Sequence, residues 1–293
     1  MGPRDIRFGI SVTPYADDYP ALVAQVAAAE SAGLDLVGIQ DHPYQRRYLD
    51  TFSLIADLLA RTSRLSFFPD VANLPLRGPV MIAKAAASLD VMSGGRFELG
   101  LGAGTFWPAV AGMGGPNRTP AEAADALEEA IPIIRAALDA RETVRGPGPA
   151  YQIPGYPPGP PAAHRMEIWI GAYRPRGLRL IGRVADGWVP SLAYMGPDGF
   201  RVASDRISDA ALAAGRDPSA IRRIYNISGV ITTGEVGEGQ LHGPVELWVD
   251  TLAHWIDEIG VDTLIFWPSG PGVDEVDRFA LEIVPEVRRA VGD

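Results

Sequence analysis

Short apolar runs alternate with longer stretches of helical periodicity along the chain. The runs Phe8–Thr13, Leu36–Gln40, Leu65–Pro69, Phe97–Gly102, Glu167–Gly171, Gly187–Pro190, Ile224–Ile231 and Thr263–Trp267 read as strands, each followed by a helical pattern. The punctuation agrees. Thr119-Pro120-Ala121-Glu122 is a capping box with proline at the first helical position, and Gly33, Gly215 and Gly260 stand where helices should stop. Eight strand–helix units over 293 residues predict an α/β fold, a (β/α)8 TIM barrel in one domain, residues 1–293. Two insertions exceed ordinary connections: about 140–165, with its Pro/Gly-rich centre Gly146–Pro161, and 232–243. Such loops in a compact barrel are lids or linkers.

Alternation within the strands adds a prediction about the interior. Phe8, Ile10 and Val12 share one face, and Gly9, Ser11 and Thr13 the other; Val37 and Ile39 oppose Gly38, Gln40 and His42; Phe97, Leu99 and Leu101 oppose Glu98, Gly100 and Gly102. With the apolar faces turned to the helices, small and polar residues line the barrel. The upper barrel is then hollow, with room for a planar ring system.

The stretch from Arg77 to Gly104 predicts a helix over Val80–Met92, a Ser93-Gly94-Gly95 turn and a strand that ends in glycines. Those glycines suit a close approach of bare backbone to a flat ligand. Gly100, Gly102 and Gly104 do not make a dinucleotide fingerprint, because Thr105 and Trp107 stand where the third glycine belongs.

Strand ends on the catalytic face of such barrels nominate further residues. Asp41-His42-Pro43 follows the second strand, and His42 shares the inward parity; it either exchanges a proton near neutral pH or merely packs in a turn. Asp70 and Val71 close the third strand as a plain Asx turn. Gly171-Ala172-Tyr173 leads into a helix with Arg174 and Arg176 at hand, a phosphate cradle or a solvated loop. Trp267-Pro268-Ser269-Gly270 after the last strand is a competing anion site.

Composition narrows the classes. Hydrophobic content of 47% and charged content of 21% are ordinary for a globular enzyme, and a net charge of −10 argues against nucleic acid or an acidic membrane as partner. The absence of cysteine excludes disulfides and thiolate chemistry. The histidines show no H-x-H or H-E-x-x-H spacing, so no metal site is expected. Without an apolar leader in MGPRDIRFGI or a run long enough to span a bilayer, a cytoplasmic protein is expected.

The segments SGGRFELGLGAG (Ser93–Gly104) and IGAYRPRGLRLIGRVADGW (Ile170–Trp188), with Asp41-His42 at the right spacing, resemble the bacterial luciferase-like superfamily of flavin- and deazaflavin-dependent oxidoreductases. The resemblance covers nearly the whole chain and is greatest to the branch using coenzyme F420. It implies a non-prolyl cis peptide at Asp70-Val71 forming a bulge behind the ring, with Asp41 beside His42 at the ring's reactive edge. It also implies cofactor contacts from the backbone of Ala103, Gly104 and Thr105, phosphate held at Gly171, Ala172 and Tyr173, and Arg174 and Arg176 near an acidic tail. His42 becomes the catalytic candidate. The sugar-phosphate dehydrogenases of this branch carry a glutamate where this chain has Thr105, and Lys84 is the only lysine, on a helix. The implied substrate is therefore a neutral or apolar small molecule, held by Phe106, Trp107 and Trp188 under the proline-rich segment. The family is commonly dimeric. Two other readings stay open: an FMN-dependent monooxygenase fed by a separate reductase, and a barrel that binds flavin without catalysis.

Overall fold

The computed structural model describes residues 5–292. Its strands are β1 (Arg7–Val12), β2 (Leu36–Ile39), β3 (Ser66–Pro69), β4 (Ala72–Asn73), β5 (Leu99–Gly102), β6 (Val144–Pro147), β7 (Gln152–Tyr156), β8 (Ile168–Gly171), β9 (Gly187–Trp188), β10 (Arg222–Ile227), β11 (Val230–Ile231), β12 (His242–Gly243) and β13 (Thr263–Phe266). The main sheet is parallel in the order β3-β2-β1-β13-β10-β9-β8-β5-β4. It closes into a barrel where the Phe67 N–H donates to Arg96 and the Glu98 N–H donates to Phe67, each at 2.9 Å. β3 and β4 are one wall of the barrel interrupted by a cis peptide at Asp70-Val71. Below the break the wall pairs with β2; above it, with β5.

Each of the eight predicted runs overlaps a barrel strand, and the ninth, β4, was not predicted. The seventh is shorter than predicted. β10 ends at Ile227, and β11 leaves the barrel to pair with β12, bracketing residues 232–241. A Cβ on Gly229 would lie 2.0 Å from the Leu241 carbonyl, so the turn between them tolerates only glycine.

The helices run outside the barrel: α1 (Tyr19–Ala32), α2 (Thr51–Arg61), α3 (Leu74–Arg77), α4 (Pro79–Ser93), α5 (Trp107–Gly112), α6 (Pro120–Asp139), α7 (Pro175–Val184) and α8 (Pro197–Ala213), with further helices beyond. The predicted capping box opens α6, where Thr119 and Glu122 satisfy each other's backbone N–H. Phe8, Ile10, Val12, Val37, Ile39, Leu99 and Leu101 pack in the layer between strands and helices, as their parity requires.

The interior is filled below and open above. Leu36, Phe68, Trp169, Val189, Ile224 and Ile265 form a separate apolar cluster inside the barrel. The inward glycines make room for it. A Cβ on Gly38 would sit 2.9 Å from the Phe68 ring, and one on Gly187 would sit 2.5 Å from Trp169. The glycines thus serve interior packing lower down as well as the hollow higher up.

The Pro/Gly-rich insertion is not a lid. β6 and β7 form an antiparallel hairpin on the flank of α6, where Glu129 accepts from the N–H groups of Ala150 and Tyr151 at 3.0 and 2.7 Å. The reason is topological: the segment joins the end of a helix to the start of a strand, which puts it at the end of the barrel opposite the strand C-termini. His164, just beyond it, bridges Asp90 at 2.9 Å and Glu98 at 3.2 Å across that closed end. The Glu98 hydrogen bond and charge, against burial, raise its pKa to about 9.

A Cβ on Gly100 would lie 2.1 Å from the Pro69 carbonyl, a backbone atom that cannot rotate away. Gly100→Ala is expected to destabilise the protein by about 3 kcal/mol, measured by urea unfolding. An alanine tolerated there without loss would mean that the β3–β5 approach is looser than described.

Candidate active site

The C-terminal ends of the strands surround one cavity of about 1110 Å3. Its frame is set by Asp41, whose side chain is 1% exposed at the end of β2. The carboxylate accepts from the Asn73 N–H at 2.8 Å and takes Arg77 bidentately at 2.8 and 2.7 Å. Arg77 also reaches Asp50, the N-cap of α2, at 2.5 Å, and lies over the Phe52 ring. Burial disfavours the guanidinium charge, but the two carboxylates outweigh it and raise the Arg77 pKa above its ordinary value. Asp41 was expected to contact a cofactor. Instead its carboxylate is spent on joining β2 to β4 and α3, and only the residue's position borders the cavity.

His42 follows on the rim, half-buried. Its Nδ1 lies 2.7 Å from the Tyr44 hydroxyl, and its ring meets Phe106 edge-on at 6.0 Å. Burial lowers its pKa below the usual value, against the pull of Asp41. Tyr44 is pushed up to about 12 by burial and by the Asp41 charge, so its phenol keeps its proton. Phe106 adopts φ 52°, a left-handed conformation rare for a large side chain, and is 59% exposed over His42.

One wall of the cavity is nearly bare backbone. Ala103, Gly104 and Thr105 run along it, and Val71 turns its methyl groups toward Gly100, Gly102 and Gly171. A Cβ at Gly102 would meet Val71 at 2.8 Å, so the bulge and the glycines fit each other. At the mouth, Arg174 precedes α7 and makes no ion pair with any described residue. Tyr173 is locked inward, its hydroxyl accepting from the Ser191 N–H at 3.0 Å.

Four expected site residues lie elsewhere. Trp188 is fully buried outside the barrel against Phe200, and its indole donates to the Ala172 carbonyl at 2.8 Å. Its neighbour Gly187 holds the inward position, so strand parity already pointed Trp188 outward. Ala172 supports this contact and does not line the cavity. Trp107 packs against Gly104 and Pro75 at the start of α5. Arg176 pairs with Asp125 and Glu128 of α6 on the surface. The competing anion site is filled from within, since Glu275 accepts from the Ser269 N–H at 2.6 Å and hydroxyl at 2.7 Å.

The structure adds Asn226 and Ser191, which the sequence reading passed over, and gives Trp267, named there only as the head of the anion-site segment, a place in the cavity wall. Asn226 stands inward on β10 and donates to Asp70 Oδ1 at 3.1 Å across the barrel. Trp267 and Ser191 border the same space. The signal was present: Ile224 and Ile265 face inward, so Asn226 and Trp267, each two residues further, face inward as well. Burial raises the Asp70 carboxyl to about 7, opposed only by the Asn226 amide. Among the described residues no group of three or more His, Asp or Glu is placed to hold a metal, and no helix is long and apolar enough to cross a membrane.

The sequence profile of the luciferase-like monooxygenase family matches residues 5–235. The 5,10-methylenetetrahydromethanopterin reductase of Methanolobus tindarius is 32% identical over 219 residues, 74% of this chain and 63% of that protein. The chain therefore spans under two thirds of that relative's length. Among solved structures, an F420-dependent secondary alcohol dehydrogenase in complex with an F420-acetone adduct superposes with a TM-score of 0.86 at 18% identity, covering 97% of this chain and 99% of that one. The coenzyme F420-dependent tetrahydromethanopterin reductase from Methanopyrus kandleri gives 0.82 at 19%, with the same coverages. At such identities the likeness establishes the luciferase-like barrel fold.

The raised Asp70 pKa has a defined consequence for stability. A carboxyl at about 7 when folded and 3.8 when unfolded supports the fold below pH 3.8 and loses that support as pH rises through 7. The gain in Tm of Asp70→Asn over the parent should therefore grow between about pH 4 and 7 and level off above, in the protein free of ligands. A gain that stays constant with pH would place the carboxyl in water.

Proposed function

The chain belongs to the luciferase-like monooxygenase family, and from that premise we propose that it is an F420-dependent oxidoreductase moving a hydride between the deazaflavin and a neutral or apolar organic substrate. The observation that carries this reading is a half-buried imidazole at the rim of a backbone-walled cavity, next in the chain to the buried Asp41–Arg77 pair. A flat ring is supported by the absence of side chains at Gly102 and Gly171, which lets Val71 lie close under that wall, where a Cβ would meet it at 2.8 and 3.2 Å. Ala103, Gly104 and Thr105 would hold the ring through main-chain atoms, with Val71 behind it. Gly171 and Tyr173 would hold the phosphate, and Arg174 supplies an uncommitted cation for an acidic tail.

When bound, the deazaflavin supplies a carbon centre that passes hydride and reacts poorly with oxygen. The protein's part is to manage one proton. The Tyr44 hydroxyl oxygen, 2.7 Å from Nδ1 of His42, would accept from Nδ1–H, the tautomer that leaves Nε2 free to take a proton. Depression of the His42 pKa keeps the ring neutral near pH 7, so it acts as a base toward an alcohol and, once protonated, as the acid toward a carbonyl. Phe106 shields that exchange from water. Lys84 cannot assist a phosphorylated substrate, because it lies on the outer flank bound to the Gly159 carbonyl.

Titration with F420 and with FMN, each followed by quenching of its own fluorescence, is expected to show tighter binding of F420. Tighter FMN binding would favour the monooxygenase reading. His42→Ala should lower turnover roughly 10²–10⁴-fold with little change in F420 affinity, in an assay of F420H2 oxidation against carbonyl compounds. Unchanged turnover would remove His42 from proton transfer. Arg174→Ala should weaken F420 binding most at low ionic strength, so a loss that ignores salt would assign that residue to packing.

A further inference from the structure

Next to His42 stands a polar side chain that the proton exchange leaves unused. Gln40 follows β2 on the inward parity, and the chain runs on to His42 without a turn or bend. Both residues line the cavity. Residues two apart on extended backbone lie about 6.6 Å apart, and one oxygen hydrogen-bonded by two nitrogens, each at about 2.9 Å, nearly bridges that span. Tyr48 fixes the amide. Its hydroxyl donates to Gln40 Oε1 at 3.2 Å, and its ring centre lies 6.5 Å from that of the imidazole. Burial raises the Tyr48 pKa, so the phenol keeps the proton it donates. With Oε1 engaged, the Gln40 NH2 group has no hydrogen-bond partner among the described residues. Nor is it sealed in protein, since the half-buried side chain leaves it open to water. A donor so placed is served by solvent until a ligand replaces it. Tyr44 and Phe106 flank the imidazole at 5.5 and 6.0 Å between ring centres, which gives that ligand an apolar surround.

We infer that the Gln40 amide donates to the oxygen of the substrate at His42, with Tyr48 as the residue that positions it. The substrate is then a carbonyl compound, or the matching alcohol, on an apolar body. The chemistry of this assignment rests on the proposed function. As a hydride reaches the carbonyl carbon, the C=O π pair moves onto oxygen, and a proton from His42 completes the hydroxyl. The amide N–H meets that charge as it grows and gives up no proton of its own. If Gln40 served only to prop Tyr48, Oε1 would suffice and the NH2 group would have no task. A wholly apolar substrate would strip that group of water and leave it unpaired.

Acetophenone and α-methylstyrene share a shape, but a methylene replaces the carbonyl oxygen in the second. Their affinities are measured by ligand-observed NMR titration, on ligand-free protein and on protein given oxidised F420, which has no hydride to pass. The ratio of the two affinities is compared between the parent and each variant, so that the different hydration of the ligands cancels. Gln40→Glu keeps an acceptor for Tyr48 and removes the NH2 group; it is expected to shift the ratio against acetophenone about tenfold. Gln40→Met should do the same. Tyr48→Phe, which frees the amide to turn, should shift the ratio in the same direction while the affinity for α-methylstyrene holds, a selectivity that a packing defect would not show. A ratio unmoved in Gln40→Glu overturns the assignment, as does a parent that takes up no acetophenone. A ratio that moves in Gln40→Glu but not in Tyr48→Phe removes the positioning role of Tyr48. A shifted ratio in a protein that binds neither F420 nor FMN keeps the donor and removes the hydride-transfer reading. Turnover with F420 alongside an unmoved ratio removes the donor alone. Because Gln40→Glu is nearly isosteric, a folding defect in Gln40→Met does not decide the outcome.

Discussion

A carboxylate taken almost wholly out of water at the end of β2 must be neutralised, and Asp41 is neutralised by one arginine from a different part of the chain. Desolvation of the two charges roughly offsets their attraction, so the pair adds little net stability. Removing either partner leaves an uncompensated buried charge, at about 3–5 kcal/mol. The pair therefore works as a geometric constraint. It ties β2 to β4, α3 and the N-cap of α2 at one point, and His42 is the next residue along the chain. The imidazole, the bulge at Asp70-Val71 and the glycine wall keep their relative positions because this point cannot be adjusted piecemeal.

The barrel was readable because its signals are local. Strand alternation, helix caps and stop glycines are fixed within a few residues of where they act, and every barrel strand but β4 overlaps the run that predicts it. The rim was readable in part. His42, Gly104 and Tyr173 face the cavity because strand ends and parity decide the matter. Side-chain partnership was not readable, since it depends on which surfaces the fold brings together. Asp41 is claimed by Arg77, Arg176 by α6 and Trp188 by Ala172. The Pro/Gly-rich hairpin was misread through composition, when its place between a helix and the next strand already assigned it to the closed end.

The interior divides between stability and use. Phe68 and Trp169 fill the lower barrel against glycines that yield the space, which gives the fold a dry, close-packed base. One layer higher the packing stops, and polar atoms with incomplete hydrogen bonding begin. A sequence selected for stability alone would pair or remove those groups. Their retention beside a depressed imidazole and a raised carboxyl is the pattern of a site that keeps acid and base apart by environment.

The solitary lysine has a practical corollary. Lys84 projects from the outer flank of α4 and holds only a backbone carbonyl of the segment beyond β7. Chemistry selective for ε-amines therefore meets a single address on each molecule, remote from the rim. A surface or a dye coupled there would present every copy in the same orientation, with its cavity mouth unobstructed.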